Sequence, residues 1–236
     1  MSDTAISFRI RPDPHTPFFS YSPQPGPPHA VAPLVNGSHA PAADRGAETR
    51  VVTSCANETA LEGVVVIGFV DESKVKGLLV ACTVVNPADL AATRRALNDL
   101  RMKGQRRIHF TKESDSRRRA ICSMLCTLDV EVTIYKARDR DPRVARAAAL
   151  AAVVADLAAA NATQLIIERD DPAAAADRAT LYRAVHDHGV PNLSYDLRRP
   201  HEEPGLWISD AVAWCYTKDR QWRGRVQPLI KAVREV

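Results

Sequence analysis

The chain of 236 residues carries 32 Lys and Arg against 28 Asp and Glu, a formal charge of +4, and 45% of it is apolar. That balance permits a nucleic-acid partner without requiring one, since a solvated basic surface gives the same excess. No apolar run reaches 18 residues, which excludes a helical membrane span, and no basic region leads into an apolar stretch with a small-residue cleavage site, so secretion is not expected.

The material is uneven. Nine of the 16 prolines fall between Pro12 and Pro41, and residues 1–60 show no apolar periodicity. Such a segment buries too little apolar surface to offset its ordering entropy, so it reads as a disordered Pro-rich tail, with a short strand around "VAPLVNG" as the alternative. Its four Arg (9, 11, 45, 50) and five acids (3, 13, 44, 48, 58) leave +5 for the rest. Residues 61–236 suffice for one domain with a full core.

In chain order, "GVVVIGFVD" is apolar on both alternating faces, as a strand covered above and below requires. Asp71 ends it, with Glu72 next. "GLLVACTVV" (77–85) returns after a link too short for anything but an antiparallel hairpin. Asn86-Pro87 ends the hairpin, and "PADLAATRRALNDLRMKG" reads as a helix closed by Gly104. "RRIHF" (106–110) is a brief extended segment. "SDSRRRAICSMLCTL" is a helix with Ile121, Met124, Leu125 and Leu128 on one face. "DVEVTIYKA" alternates as a strand, and "DPRVARAAALAAVVADLAAAN" is a helix with Pro142 in its first turn. Strand "TQLIIERD", helix "DPAAAADRATLYRAVHDHG", strand "NLSYDLRRP" and helix "LWISDAVAWCYTK" (206–218) complete the expected elements. Strands alternating with helices imply an α/β fold: a mixed central sheet opening with an antiparallel hairpin, and helices on both faces. No GxGxxG or GxxxxGK[ST] follows a strand, so dinucleotide and P-loop readings lose their support. Five cysteines (55, 82, 122, 126, 215) include no CxxC pair. Cys122 and Cys126, one helical turn apart, fit a buried apolar face better than a zinc site, and the compartment expected is the reducing cytoplasm.

Three acids stand in apolar surroundings. Asp71 shares a strand face with Ile67 and Phe69, whereas Glu72 points to the other. Glu168 ends "QLIIE". Asp210 has Leu206, Ala213 and Trp214 one helical turn away. Each has a plainer reading: a hairpin turn-former, a partner of Arg169, and a helix cap to Val212 or Ala213. Together, acids from the ends of neighbouring parallel strands and from a covering helix make sense around divalent cations. A pair of Mg2+ or Mn2+ ions so held is an apparatus for cutting phosphodiesters.

This order of elements and acids resembles the ribonuclease H-like superfamily. Within it, residues 62–218 resemble the bacterial family catalogued as domain of unknown function 3800, through Asp71-Glu72-Ser73, His109 in "RRIHF", Glu168, and Asp210 in "ISDAVAW". The resemblance implies a metal-dependent nuclease acting on DNA or RNA. It implies Asp71, Glu168 and Asp210 as Mg2+ or Mn2+ ligands at the catalytic centre, with His109 contacting a phosphate or assisting proton transfer. Glu72, Lys112 and Arg107 are secondary candidates for substrate contact, and Glu113 or Asp115 for a fourth metal acid. Arg106, Arg107, Lys112 and Arg117–Arg119 flank this site and would neutralise a phosphate backbone, or else form a solvated, ion-paired helix face. Trp214 and Trp222 lie among cations, where they would stack on bases or pack in the core. A rival reading is a module that binds nucleic acid or supports assembly, keeping the fold without the chemistry. The histidines of "HDH" (186–188) read as helix-end cations. Oligomeric state is left open.

Overall fold

The computed structural model describes residues 65–236 other than Lys76. The expected tail over 1–60, including Cys55, lies outside the described residues. Six strands form one sheet in the order β5-β4-β1-β2-β3-β6. Strand β1 (Ile67–Ser73) sits inside it, antiparallel to β2 (Leu79–Val85) and parallel to β4 (Gln164–Glu168). Strand β3 (Val130–Lys136) pairs antiparallel with β2, and β5 (Ser194–Arg198) parallel with β4. The expected α/β architecture, with a mixed sheet opening on a hairpin, is what forms.

Helices cover both faces, as the all-apolar β1 demands. On one side lie α1 (Pro87–Asp99), α2 (Asp115–Leu125), α5 (Leu206–Lys218) and α6 (Arg220–Val226), around Phe69, Ile134, Ile166 and Val212. On the other, α3 (Pro142–Ala159) and α4 (Ala174–Asp187) enclose Val70, Val80, Leu150, Leu165 and Leu181. The helix starts follow from their caps. Asn86, Ser114, Asp141 and Asp219 each accept a bond from a backbone N–H of the first turn, and Pro87 and Pro142 stand where no N–H is needed.

Three expectations are corrected. Strand β1 does not end at Asp71 but stays paired with β2 through Ser73. Helix α1 stops at Asp99 rather than at Gly104, which takes φ +86 in a later turn. And the chain does not end its regular structure with α5: α6, a 3-10 turn and strand β6 (Ile230–Glu235) follow, β6 lying parallel beside β3 at the sheet edge. Most of β6 is exposed, so it lacks the apolar alternation that marks a strand. "RRIHF" pairs with no strand and leads into a 3-10 turn, Phe110–Lys112.

Helix α5 approaches the sheet closely because small residues recur along it, at Gly205 just before its start, Ser209 and Ala213. A Cβ on Gly205 would stand 2.5 Å from the Phe69 ring. Ser209 Oγ donates to the Phe69 carbonyl at 2.9 Å. It therefore accepts from Thr83 Oγ1, 2.8 Å away, since one hydroxyl carries one proton. All these polar groups are buried and partnered across the helix–sheet contact.

Gly205→Ala should lower stability by about 1–3 kcal/mol, the usual cost of overpacking. That amounts to a Tm fall of about 2–4 °C for each kcal/mol in a domain of this size. Gly224→Ala in α6, where a Cβ meets nothing within 4 Å, should leave Tm level or raise it. Equal melting of the two variants would contradict the close packing of α5.

Candidate functional site

Pairing between β1 and β4 runs from Ile67 opposite Gln164 to Val70 opposite Ile167. The next positions in that register are Asp71 and Glu168. Period two puts both on the face of Phe69 and Ile166, the face that α5 covers. The two carboxyl groups lie close enough for each to shift the other's pKa. Asp71 also accepts from the Glu72 backbone N–H at 2.7 Å.

From α5, Asp210 lies near enough to both acids to raise their pKa values. It does not cap its helix. Its Oδ2 accepts from the Phe110 backbone N–H at 3.1 Å, so the turn after "RRIHF" orients it. Arg118 on α2 holds that turn in place. It donates to the carbonyls of Phe110 (2.9 Å) and Thr111 (2.6 Å), and its guanidinium lies 4.4 Å over the Trp214 ring. The same segment delivers Arg107, with Nη1 3.8 Å from Glu168 Oε1, and His109, whose Nδ1 lies 3.3 Å from Arg107 Nη2. Guanidinium only donates, so His109 Nδ1 accepts and the ring proton sits on Nε2.

The charges explain the titration. Burial pushes the Asp71 carboxyl well above the usual carboxylate range, and repulsion from Glu168 and Asp210 adds to it. Glu168 is raised by burial, against the pull of Arg107. Asp210 is raised by burial, opposed by the Phe110 N–H. Burial lowers the pKa of His109, and Arg107 lowers it further. An all-oxygen, charge-crowded donor set fits a hard divalent cation; Mg2+ in particular is commonly bound by one or two carboxylates plus substrate phosphates. Among the described residues no group of three or more His, Cys, Asp or Glu is placed so as to hold a metal ion together.

The remaining candidates divide. Glu72 turns to the opposite face, where it pairs with Arg146 of α3 and with Lys74 at 3.0 Å. Arg146 also grips the buried Asp177 of α4 through two bonds, at 2.7 and 2.9 Å. Lys112 is exposed at the end of the 3-10 turn that follows His109. Glu113 is engaged by Gln105 (3.0 Å) and Arg117 (3.6 Å), and Asp115 by Arg118 (2.7 Å). Arg169 pairs with Asp171 rather than with Glu168. Trp222 is buried, and Trp214 packs edge-on between it and Phe110. His186 and His188 are exposed at the end of α4, away from the acids. Two parts of the site escape sequence reasoning: the Phe110 N–H, a backbone group with no residue signature, and Arg118, hidden in a run of three arginines.

No family model matches the chain, and no curated protein does. Among solved structures, ribonuclease HII in its complex with PCNA from Archaeoglobus fulgidus is similar, at TM-score 0.44 and 16% identity, over 69% of this chain and 78% of that one. Bst ribonuclease HIII in complex with Mn2+ is similar at TM-score 0.38 and 15% identity, over 64% of this chain and 51% of that one. The fold class stands on the strand order and pairing themselves: an α/β fold around a mixed six-stranded sheet.

Because the Asp71 pKa is raised on folding, the fold favours its protonated form, and stability is lost as pH climbs above the unfolded-state value near 3.9. Asp71→Asn removes that loss. In EDTA the variant should melt above wild type at pH 7–8, with the gap closing toward pH 4. Parallel Tm-versus-pH curves would contradict the crowding of these acids.

Proposed function

We propose that the protein is a Mg2+- or Mn2+-dependent nuclease that hydrolyses phosphodiesters of DNA or RNA, and a relative of the bacterial domain of unknown function 3800 family. The observation that carries this reading is the adjacency of Asp71 and Glu168 in parallel register, with Asp210 brought to them by α5. Carboxylates crowded by burial and mutual repulsion are relieved by a cation among them. The setting proposed is the reducing cytoplasm, where Cys82, Cys122, Cys126 and Cys215 stay free thiols. Among the described residues, no helix is long and apolar enough to cross a membrane.

Asp71 and Glu168 would hold the cation, with Asp210 beside them as a further oxygen donor. Bound there, a divalent cation supplies Lewis acidity toward the phosphate oxygens and offsets charge developing on the leaving oxygen. Everything else is done by the chain. The rigid β1 and β4 hold two carboxylates at fixed spacing, so no side-chain search precedes binding. The Phe110 N–H fixes the Asp210 rotamer. Arg107 offsets part of the negative charge at Glu168 and presents a cation where a phosphate would approach. His109, neutral at pH 7 with Nδ1 facing Arg107, has Nε2–H to donate to a phosphate oxygen.

The rival, a binding module without chemistry, predicts the same fold and no turnover. The test is cleavage of mixed DNA and RNA substrates in Mn2+ by wild type, Asp71→Asn and Asp210→Asn. Each substitution should reduce the rate by more than the ~10- to 100-fold that loss of a mere supporting group costs. Cleavage equal in all three proteins, or absent from wild type, would refute the nuclease reading. Arg118→Met should slow cleavage through Asp210 while leaving Mn2+ binding, read by calorimetry, within about 10-fold of wild type.

A further inference from the structure

At the C-terminal ends of β1 and β4, on the face of the sheet that carries α3 and α4 and across the strand tips from the face that Asp71 and Glu168 take, two cavities meet. The smaller, about 510 Å3, is lined by five acids, Asp71, Glu72, Glu168, Asp170 and Asp171, and by Lys74, Arg146 and Arg169. The larger, about 1020 Å3, runs between the β1–β2 hairpin, the loop before α3 and the outer side of α4. Lys74, Arg146, Asp170 and Pro172 line both, so the two cavities adjoin beside the tips of the strands that carry Asp71 and Glu168.

The walls of the larger groove are basic. Lys74, Arg138, Arg140, Arg143, Arg146 and Arg183 face Asp139, Asp170 and Asp177. Lys74 is answered by Asp170, and Arg146 by Asp177. That leaves four arginines against Asp139. Arg138 is 75% exposed and reaches Glu235 only at 3.7 Å. Arg140, Arg143 and Arg183 are exposed and meet no acid among the described residues. No Phe, Tyr, Trp or His lines the groove. A surface of this kind offers charge to phosphates and no stacking platform to bases.

We propose that this groove binds the phosphate backbone of the nucleic acid whose scissile bond lies at Asp71 and Glu168, gripping it without regard to sequence. The inference rests on the nuclease reading for its substrate, and names where that substrate runs: from the acids past Lys74 and along the N-terminal half of α3. Each phosphate neutralised by an arginine releases counterions, which makes affinity fall with salt.

The test uses the full chain in EDTA and fluorescence anisotropy of a fluorescein-labelled single-stranded oligonucleotide across a salt series. Arg143→Ala with Arg183→Ala should weaken binding and flatten the slope of log affinity against log salt by about 1.4, at ~0.7 for each phosphate no longer neutralised. Arg95→Ala with Lys103→Ala, a charge-matched pair of exposed residues on α1 and in the turn after it, should leave the slope unchanged. Exposed substitutions of this kind leave stability within about 0.5 kcal/mol, so melting curves should coincide. Equal effects of the two pairs, an unchanged slope in the first, or no binding by wild type would overturn the groove. So would displacement of the oligonucleotide by poly-glutamate as readily as by unlabelled oligonucleotide, since the site would then be one for acidic protein. Cleavage is scored on the same samples in Mn2+. Turnover that survives Asp71→Asn sinks the nuclease reading and leaves the binding result standing. Loss of turnover in Asp71→Asn with groove variants that bind like wild type sinks only the groove.

Discussion

The structure depends on how close α5 comes to β1. With Gly205 against the Phe69 ring and Ser209 bonded to the Phe69 carbonyl, the helix lies within a side chain's thickness of the central strand. Only that approach allows a residue as short as Asp210 to reach the neighbourhood of Asp71 and Glu168. A bulkier residue at any of the small positions would lift the helix and take Asp210 with it, while leaving most of the core intact. The contact is also polar where it is tightest, because the Thr83–Ser209 pair satisfies groups that would otherwise be buried without partners. The helix is thereby held in register as well as in place.

A second layer of support comes from the far side of Asp210. The turn at Phe110–Lys112 has no sheet to belong to, and is ordered by Arg118, which ties two of its carbonyls to α2 while stacking on Trp214. Trp214 in turn packs on Phe110 and Trp222. This aromatic and guanidinium cluster takes the place that a hydrogen-bonded strand would fill elsewhere. It also makes α6, a short helix with one buried Trp, part of what orients the acid group.

Much of this was legible in the residues. Period two separated Asp71 from Glu72, because a strand buried on both faces leaves each side chain one choice of side, and the structure sends Glu72 to Arg146. Glu168 and Asp210 were marked by apolar neighbours that a lone carboxylate has no reason to keep. What was hidden is of two kinds. Strand β6 is an exposed edge whose side chains need not alternate, so periodicity carries no signal there. The Phe110 N–H and the Arg118 clamp join positions 100 and 8 residues apart through backbone atoms, and composition is silent about backbone partners. The basic groove was missed for a similar reason: its arginines are scattered from the 138–143 loop to α4 and form a surface only after α3 and α4 pack.

The neighbouring acids of β1 have one more consequence. Asp71 and Glu72 face opposite sides, and each side has a different chemistry waiting: two further carboxylates on one, Arg146 with Asp177 on the other. A slip of β1 by a single residue would exchange them, setting a glutamate among the acids and stranding an aspartate short of the arginine. The alternation of Ile67, Phe69 and Val70 between the two cores already penalises such a slip. The acid pair adds an electrostatic penalty of its own, so the strand is addressed twice over, once by shape and once by charge.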